Sequence, residues 1–180
     1  MRKMVARLLE DAGVTTILVT HDQSEALSFA DQLAVMRNGR LVQSGHPMDL
    51  YRYPDDEQTA HFLGEAVILP ARIEAGWAHC DLGQVAVNSN GFSGAAQIML
   101  RPEQLQIAEV ASDSQGCHAL VTDRDFAGNT CTLTVELQPR APDQPIGRSL
   151  LVRSSGMHAP PAGSAVQLSV LGAAHVFGLN

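Results

Sequence analysis

From Ala66 onward one pattern governs the chain: strand-like runs of four to nine residues, cut apart by glycine, proline and asparagine. The runs are Val67–Ile73, Trp77–Asp81, Gln84–Asn88, Gln97–Arg101, Leu105–Ala108, His118–Asp125, Thr130–Gln138, Ser149–Arg153 and Ala165–Leu171. Between them stand Gly76, Gly83, Asn90-Gly91, Gly94, Gly116, Gly128-Asn129, Pro139–Pro145, Gly156 and Pro160–Gly163. Breakers this close together leave room for short strands and turns, and predict an all-β barrel or sandwich over 65–180.

Residues 1–64 have a different texture. Met4, Val5, Leu8 and Leu9 follow the 3-4 spacing of an amphipathic helix, which Gly13 stops. Val14–Thr20 is β-branched and almost continuously apolar, the pattern of a strand covered on both faces in a parallel sheet. A short helix is expected over Ser24–Ala30, and a hairpin over Gln32–Arg37 and Arg40–Gln43 around Asn38-Gly39. Pro47 opens a helix through Tyr51, and another runs over Glu57–Leu63 to Gly64. The whole reads as α+β, an α/β piece over 1–64 followed by a β domain over 65–180.

Charge narrows the partners. Twelve basic residues stand against 19 acidic, for a net charge of −7. That argues against nucleic acid and anionic lipid, which select basic patches. No run reaches the 18 or so apolar residues of a membrane helix, so no direct membrane insertion is expected. Three cysteines, Cys80, Cys117 and Cys131, lack CxxC spacing and fit reduced thiols in the cytosol. Cys117 and Cys131 fall on adjacent strands of one expected hairpin, where a disulfide is conceivable but free thiols are favoured. The spacings of His46, His61, His79, His118, His158 and His175 match no metal template, so no metal site is expected.

The residues with chemistry are Thr20-His21-Asp22-Gln23. They follow the expected buried strand, and ligands of open α/β sheets sit beyond the carboxyl ends of strands. A neutral imidazole there can accept one proton and donate another, which suits orienting water against a phosphate. The stretch Ile17–Ala26 resembles the switch-histidine loop of ABC transporter ATP-binding subunits. The likeness continues through Ala30–Arg40, Gln43–Pro47, Leu50–Pro54 and Phe62–Gly64. Met99-Leu100-Arg101-Pro102-Glu103-Gln104-Leu105-Gln106-Ile107 is similar to the C-terminal regulatory barrel of such subunits, an oligonucleotide-binding-type fold called TOBE. Gly64–Ala71 and Cys80–Gly83 look most like the ferric-iron branch, with spermidine/putrescine, sulfate and maltose relatives sharing the architecture.

The resemblance implies that His21 is the catalytic switch histidine, contacting the γ-phosphate and holding the attacking water in line. It implies that Asp22 and Gln23 shape the nucleotide-facing loop and the contact between paired ATPase subunits. It further implies ATP and Mg²⁺ in the intact subunit, a homodimer through the barrels, and inner-membrane permease partners. The location implied is cytoplasmic, peripheral on the inner face of a bacterial membrane. The sequence contains no G-x-x-x-x-G-K-[ST], no LSGGQ-type signature, no glutamine loop and no apolar strand ending in Asp-Glu. Backbone amides of a phosphate loop do most of the phosphate holding. This chain alone is therefore expected to be inactive and without cofactor, the tail of a P-loop NTPase domain plus its barrel. The alternative is a stand-alone sensing or regulatory module that binds an oxyanion or a protein.

Two aromatics and one charged triplet complete the expectations. Trp77 and Phe92 are expected in the core rather than as a base-stacking platform. Arg101-Pro102-Glu103 is expected to end a strand and turn, with its charges facing solvent.

Overall fold

Asn38 and Gly39 both adopt positive φ (52° and 75°), the geometry of a two-residue hairpin turn. They join β1 (Leu33–Arg37) to β2 (Arg40–Gly45), with Arg37 opposite Arg40. In the computed structural model, residues 2–89, 91–110, 117–139 and 147–177 are described. The chain divides into two compact units between Glu65 and Ala66.

The first unit adds four helices to that hairpin: α1 (Arg2–Asp11), α2 (Gln23–Phe29), α3 (Pro47–Arg52) and α4 (Glu57–Leu63). Each of the last three has a side-chain cap, from Asp22, His46 and Asp56 in turn. Val35, Leu50 and Leu63 form a small core, with Leu27, Leu33, Val42 and Tyr51 packed on it.

Asp56 also receives Arg37 Nη1 at 3.2 Å, while Arg37 Nη2 pairs with its other oxygen. Arg37 and the Thr59 amide hold the Asp56 carboxyl well below the usual carboxylate range. A depressed native pKa gives stability that is present above the unfolded value, about 3.9, and is lost as pH falls below it. The Thr59 amide, 2.7 Å from Asp56 Oδ1, reports on this. Its exchange protection should fall between pH 5 and pH 2.5, and fall less in Asp56→Asn, which keeps a capping oxygen without the charge. Equal pH dependence in both proteins would contradict this.

The expected strand Val14–Thr20 does not form. Its residues enter no ladder, and Ile17 and Val19 are 89% and 92% exposed. The reason is a missing partner. A parallel strand needs neighbours on both sides, and β1 and β2 pair only with each other.

The second unit bears out the expected succession of short strands. One sheet has the order β12-β6-β3-β4-β5, and the other β10-β9-β8-β11-β7. The first comprises β3 (Val67–Glu74), β4 (Trp77–Cys80), β5 (Gly83–Ala86), β6 (Gly94–Leu100) and β12 (His175–Val176). The second comprises β7 (Leu105–Glu109), β8 (Cys117–Ala127), β9 (Thr130–Leu137), β10 (Ser149–Ser155) and β11 (Ala165–Val170). Strand parity builds the core. Val67, Leu69, Ala71 and Ile73 of β3 face in, as do Cys131, Leu133, Val135 and Leu137 of β9. Both sets belong to one apolar cluster.

Four local expectations are corrected. Trp77 is 47% exposed because the pleat turns its neighbour Ala78 inward; Phe92 does pack on the core. Arg101 is only 3% exposed, although Glu103 faces solvent as expected. Strand β6 starts at Gly94 rather than Gln97, with the nearest atom of the Phe92 ring 3.0 Å from where a Cβ on Gly94 would sit. The short strand β12 was not legible as a run at all. The cysteines are free, as favoured: Cys131 lies opposite Phe126, nine positions along β8 from Cys117. At about 3.3 Å per residue that separation is roughly 30 Å, far beyond disulfide reach.

Gln104 ties the second unit together. It ends a 3-10 turn, Pro102–Gln104, and its side-chain oxygen accepts the Arg101 amide at 2.9 Å. Its side-chain nitrogen donates to the carbonyls of Leu171 (3.2 Å) and Ala173 (3.1 Å). The segment leading into β12 is thereby pinned to the end of β6.

Candidate functional site

Asp22-Gln23-Ser24-Glu25 has the D-x-x-E pattern of a capped helix start, and α2 begins there. Asp22 Oδ1 accepts the Glu25 amide at 2.9 Å and the Ser24 hydroxyl at 2.6 Å. In the usual box the glutamate side chain would reach back to the cap residue's own N–H. Here a third side chain stands between them. The Thr20 hydroxyl accepts the Asp22 amide at 3.0 Å and donates to Glu25 Oε2 at 2.7 Å.

His21 lies inside this circuit and does not take part in it. Its flanking residues, Thr20 and Asp22, are half-buried, whereas His21 itself is exposed. Gln23, also exposed, is the first residue of α2. The structure thus places His21, Asp22 and Gln23 together where the loop enters α2. It gives the Asp22 carboxylate a capping role and leaves the imidazole facing solvent. Thr20 stood in the sequence motif without a role of its own, and Glu25 was missed as a member of the site, although the D-x-x-E spacing signalled it.

The second unit has a concave surface of about 610 Å³ lined by Pro70, Ala71, His79, Cys80, Asp81, Gly83 and Gln84. Burial pushes the Cys80 thiol up, making it a poor nucleophile, and Asp81 is paired with Arg148 at 3.2 Å. Among the described residues no cluster of three or more His, Cys, Asp or Glu could hold a metal ion. No helix of the described residues is long and apolar enough to cross a membrane.

Residues 98–177 match the TOBE domain model. The chain is 83% identical over 177 residues to the Fe(3+) ions import ATP-binding protein FbpC of Pseudomonas fluorescens (strain Pf0-1). That match takes in 98% of this chain and 50% of the relative. The proteins of the same name from Mesorhizobium japonicum and Serratia marcescens are 50% and 49% identical, each over 98% of this chain. They are covered to 52% and 49% of their own lengths. Nearly the whole chain is thus similar to about half of each of these Fe(3+) ions import ATP-binding proteins, and residues 98–177 carry a TOBE domain. The chain spans about half the length of the curated relatives it matches.

This likeness accords with both halves of the sequence reading. The likeness covers nearly the whole chain, so it takes in the His21 loop as well as the TOBE domain. The two-sheet β unit fits an OB-like domain of the TOBE kind.

Proposed function

We propose that this chain forms the C-terminal part of the ATP-binding subunit of an ABC importer. In this reading the intact subunit couples ATP hydrolysis to ferric-ion uptake through membrane permease partners at the cytoplasmic face. Residues 1–64 belong to a P-loop NTPase domain, and the barrel over 65–180 is regulatory and pairs two subunits. The observation that carries this is the loop: an exposed histidine held on a preformed helix start, directly after an apolar run that lacks sheet neighbours.

His21 contacts the γ-phosphate and keeps the attacking water in line, a positioning and electrostatic role. Asp22 and Gln23 set the surface facing the nucleotide and the paired subunit. The residues described here offer no metal site, so no step is assigned to Mg²⁺ within this chain. A histidine can act on a phosphate only where other groups hold it, so the chain alone neither binds ATP tightly nor hydrolyses it.

The apolar run supplies a direct test. In a hybrid joining this chain to the part of the Pf0-1 relative that the match leaves uncovered, Val14–Thr20 becomes a sheet strand. The amides of Thr15–Thr20 should then exchange at least about tenfold more slowly than in this chain alone. Equal, fast exchange in a folded hybrid would contradict the assignment of residues 1–64.

A further inference from the structure

The hydrogen bonds around His21 do more than start a helix. Capping α2 needs only the Asp22 carboxylate and the Glu25 amide, which are 2.9 Å apart. The leg through Thr20 adds a restraint on the residue before the histidine. Thr20 is tied forward to the Asp22 amide and to the Glu25 carboxylate, so the backbone is pinned on both sides of His21. The direction of the His21 Cα–Cβ bond is therefore fixed by groups that leave the imidazole free of structural duty. The same circuit turns the Glu25 carboxylate toward a hydroxyl and the Asp22 carboxylate toward N–H and O–H donors. That limits like-charge repulsion of an anion approaching the loop.

We propose that Thr20 and Glu25 are positioning residues for His21, acting through the hydroxyl that bridges the Asp22 amide and the Glu25 carboxylate. The proposal rests on the reading of His21 as the γ-phosphate contact. Its chemical content is specific. A hydroxyl is required at residue 20, because it must accept and donate at once, and an acceptor oxygen is required at residue 25. Serine meets the first need and glutamine the second; valine and alanine do not.

The test uses the hybrid with the Pf0-1 relative and steady-state ATP hydrolysis. Thr20→Val and Glu25→Ala should each lower kcat about tenfold or more, with KM within about twofold, because a misplacement near 1 Å can cost two orders of magnitude. Thr20→Ser and Glu25→Gln should recover kcat to within about threefold of the parent. On a His21→Ala background Thr20→Val should cost nothing further, since a positioning residue has no effect once its target is gone. Thr20→Val with parental kcat, or with the same loss on both backgrounds, overturns the proposal. If His21→Ala is itself silent, the phosphate reading of His21 falls and this proposal with it. A silent Thr20→Val beside a damaging His21→Ala removes only the positioning role. In the 180-residue chain itself, Thr20→Val should speed exchange of the Asp22 amide about tenfold and Thr20→Ser should not. An unchanged Asp22 rate in Thr20→Val would also overturn it.

Discussion

In the hybrid with the Pf0-1 relative, His21→Ala should lower kcat for ATP hydrolysis by about a hundredfold or more and leave the Kd for ATP within about threefold. A hundredfold loss corresponds to about 2.7 kcal/mol of transition-state stabilisation, a magnitude typical of one well-placed polar group. The asymmetry between kcat and Kd follows from where the residue sits. His21 is exposed, takes no part in the Thr20–Asp22–Glu25 circuit, and belongs to no core cluster. Truncating it therefore opens no cavity and leaves the loop capped. On the proposed reading, what disappears is a group that acts once a phosphate is held by other parts of the subunit. Isothermal titration with ATP and steady-state turnover on the same preparation separate the two effects. A variant that hydrolyses ATP at the parental rate would remove His21 from the mechanism.

Leu133→Ala should destabilise the second unit by about 3 kcal/mol. Leu133 is fully buried on β9, the strand flanked by β8 and β10, and belongs to the core to which both sheets contribute. Removing its isobutyl group forfeits transfer energy and leaves a void that two hydrogen-bonded neighbours keep from collapsing. For a unit of this size the loss lowers Tm by roughly 10–20 °C. The single tryptophan, Trp77, lies on β4, so its fluorescence follows this unit alone. Leu120→Ala on β8 is the control, because Leu120 is exposed, and it should cost less than about 1 kcal/mol. A loss below that level in Leu133→Ala would mean that the core is not packed as described.

Local chemistry was legible wherever it decides a conformation by itself. Asn38-Gly39 forms the turn that its positive φ values favour, and Pro47 opens α3 as a first-turn proline can. The runs Val67–Ile73 and Thr130–Gln138 became β3 and β9, in which alternate residues face inward as a half-buried strand requires. Features that depend on distant residues were not legible. Val14–Thr20 has the composition of a buried strand, but composition does not supply neighbours. Trp77 looked like core until strand parity assigned the inward position to Ala78. Arg101 looked like a surface charge, and its burial follows from a turn held to residues 171–173 through Gln104, some 67 to 69 positions away. The two-residue strand β12 exists only because β6 is there to pair with it.

The candidate site divides in the same way. His21 was found from its place after an apolar run, and Asp22 and Gln23 came with the motif. Thr20 was part of that motif but carried no role, and Glu25 was not singled out, although it stands at the third position of a capping pattern. A threonine hydroxyl inserted into that box leaves no periodic trace. It becomes visible only when the 2.7 Å and 3.0 Å hydrogen bonds are in view.

The most direct measurement of the central claim is ATP turnover by the purified hybrid, compared with the 180-residue chain under the same conditions. The account predicts steady phosphate release from the hybrid and none above background from the chain alone. A folded hybrid that binds ATP yet never turns it over, or measurable turnover by the chain alone, would contradict it.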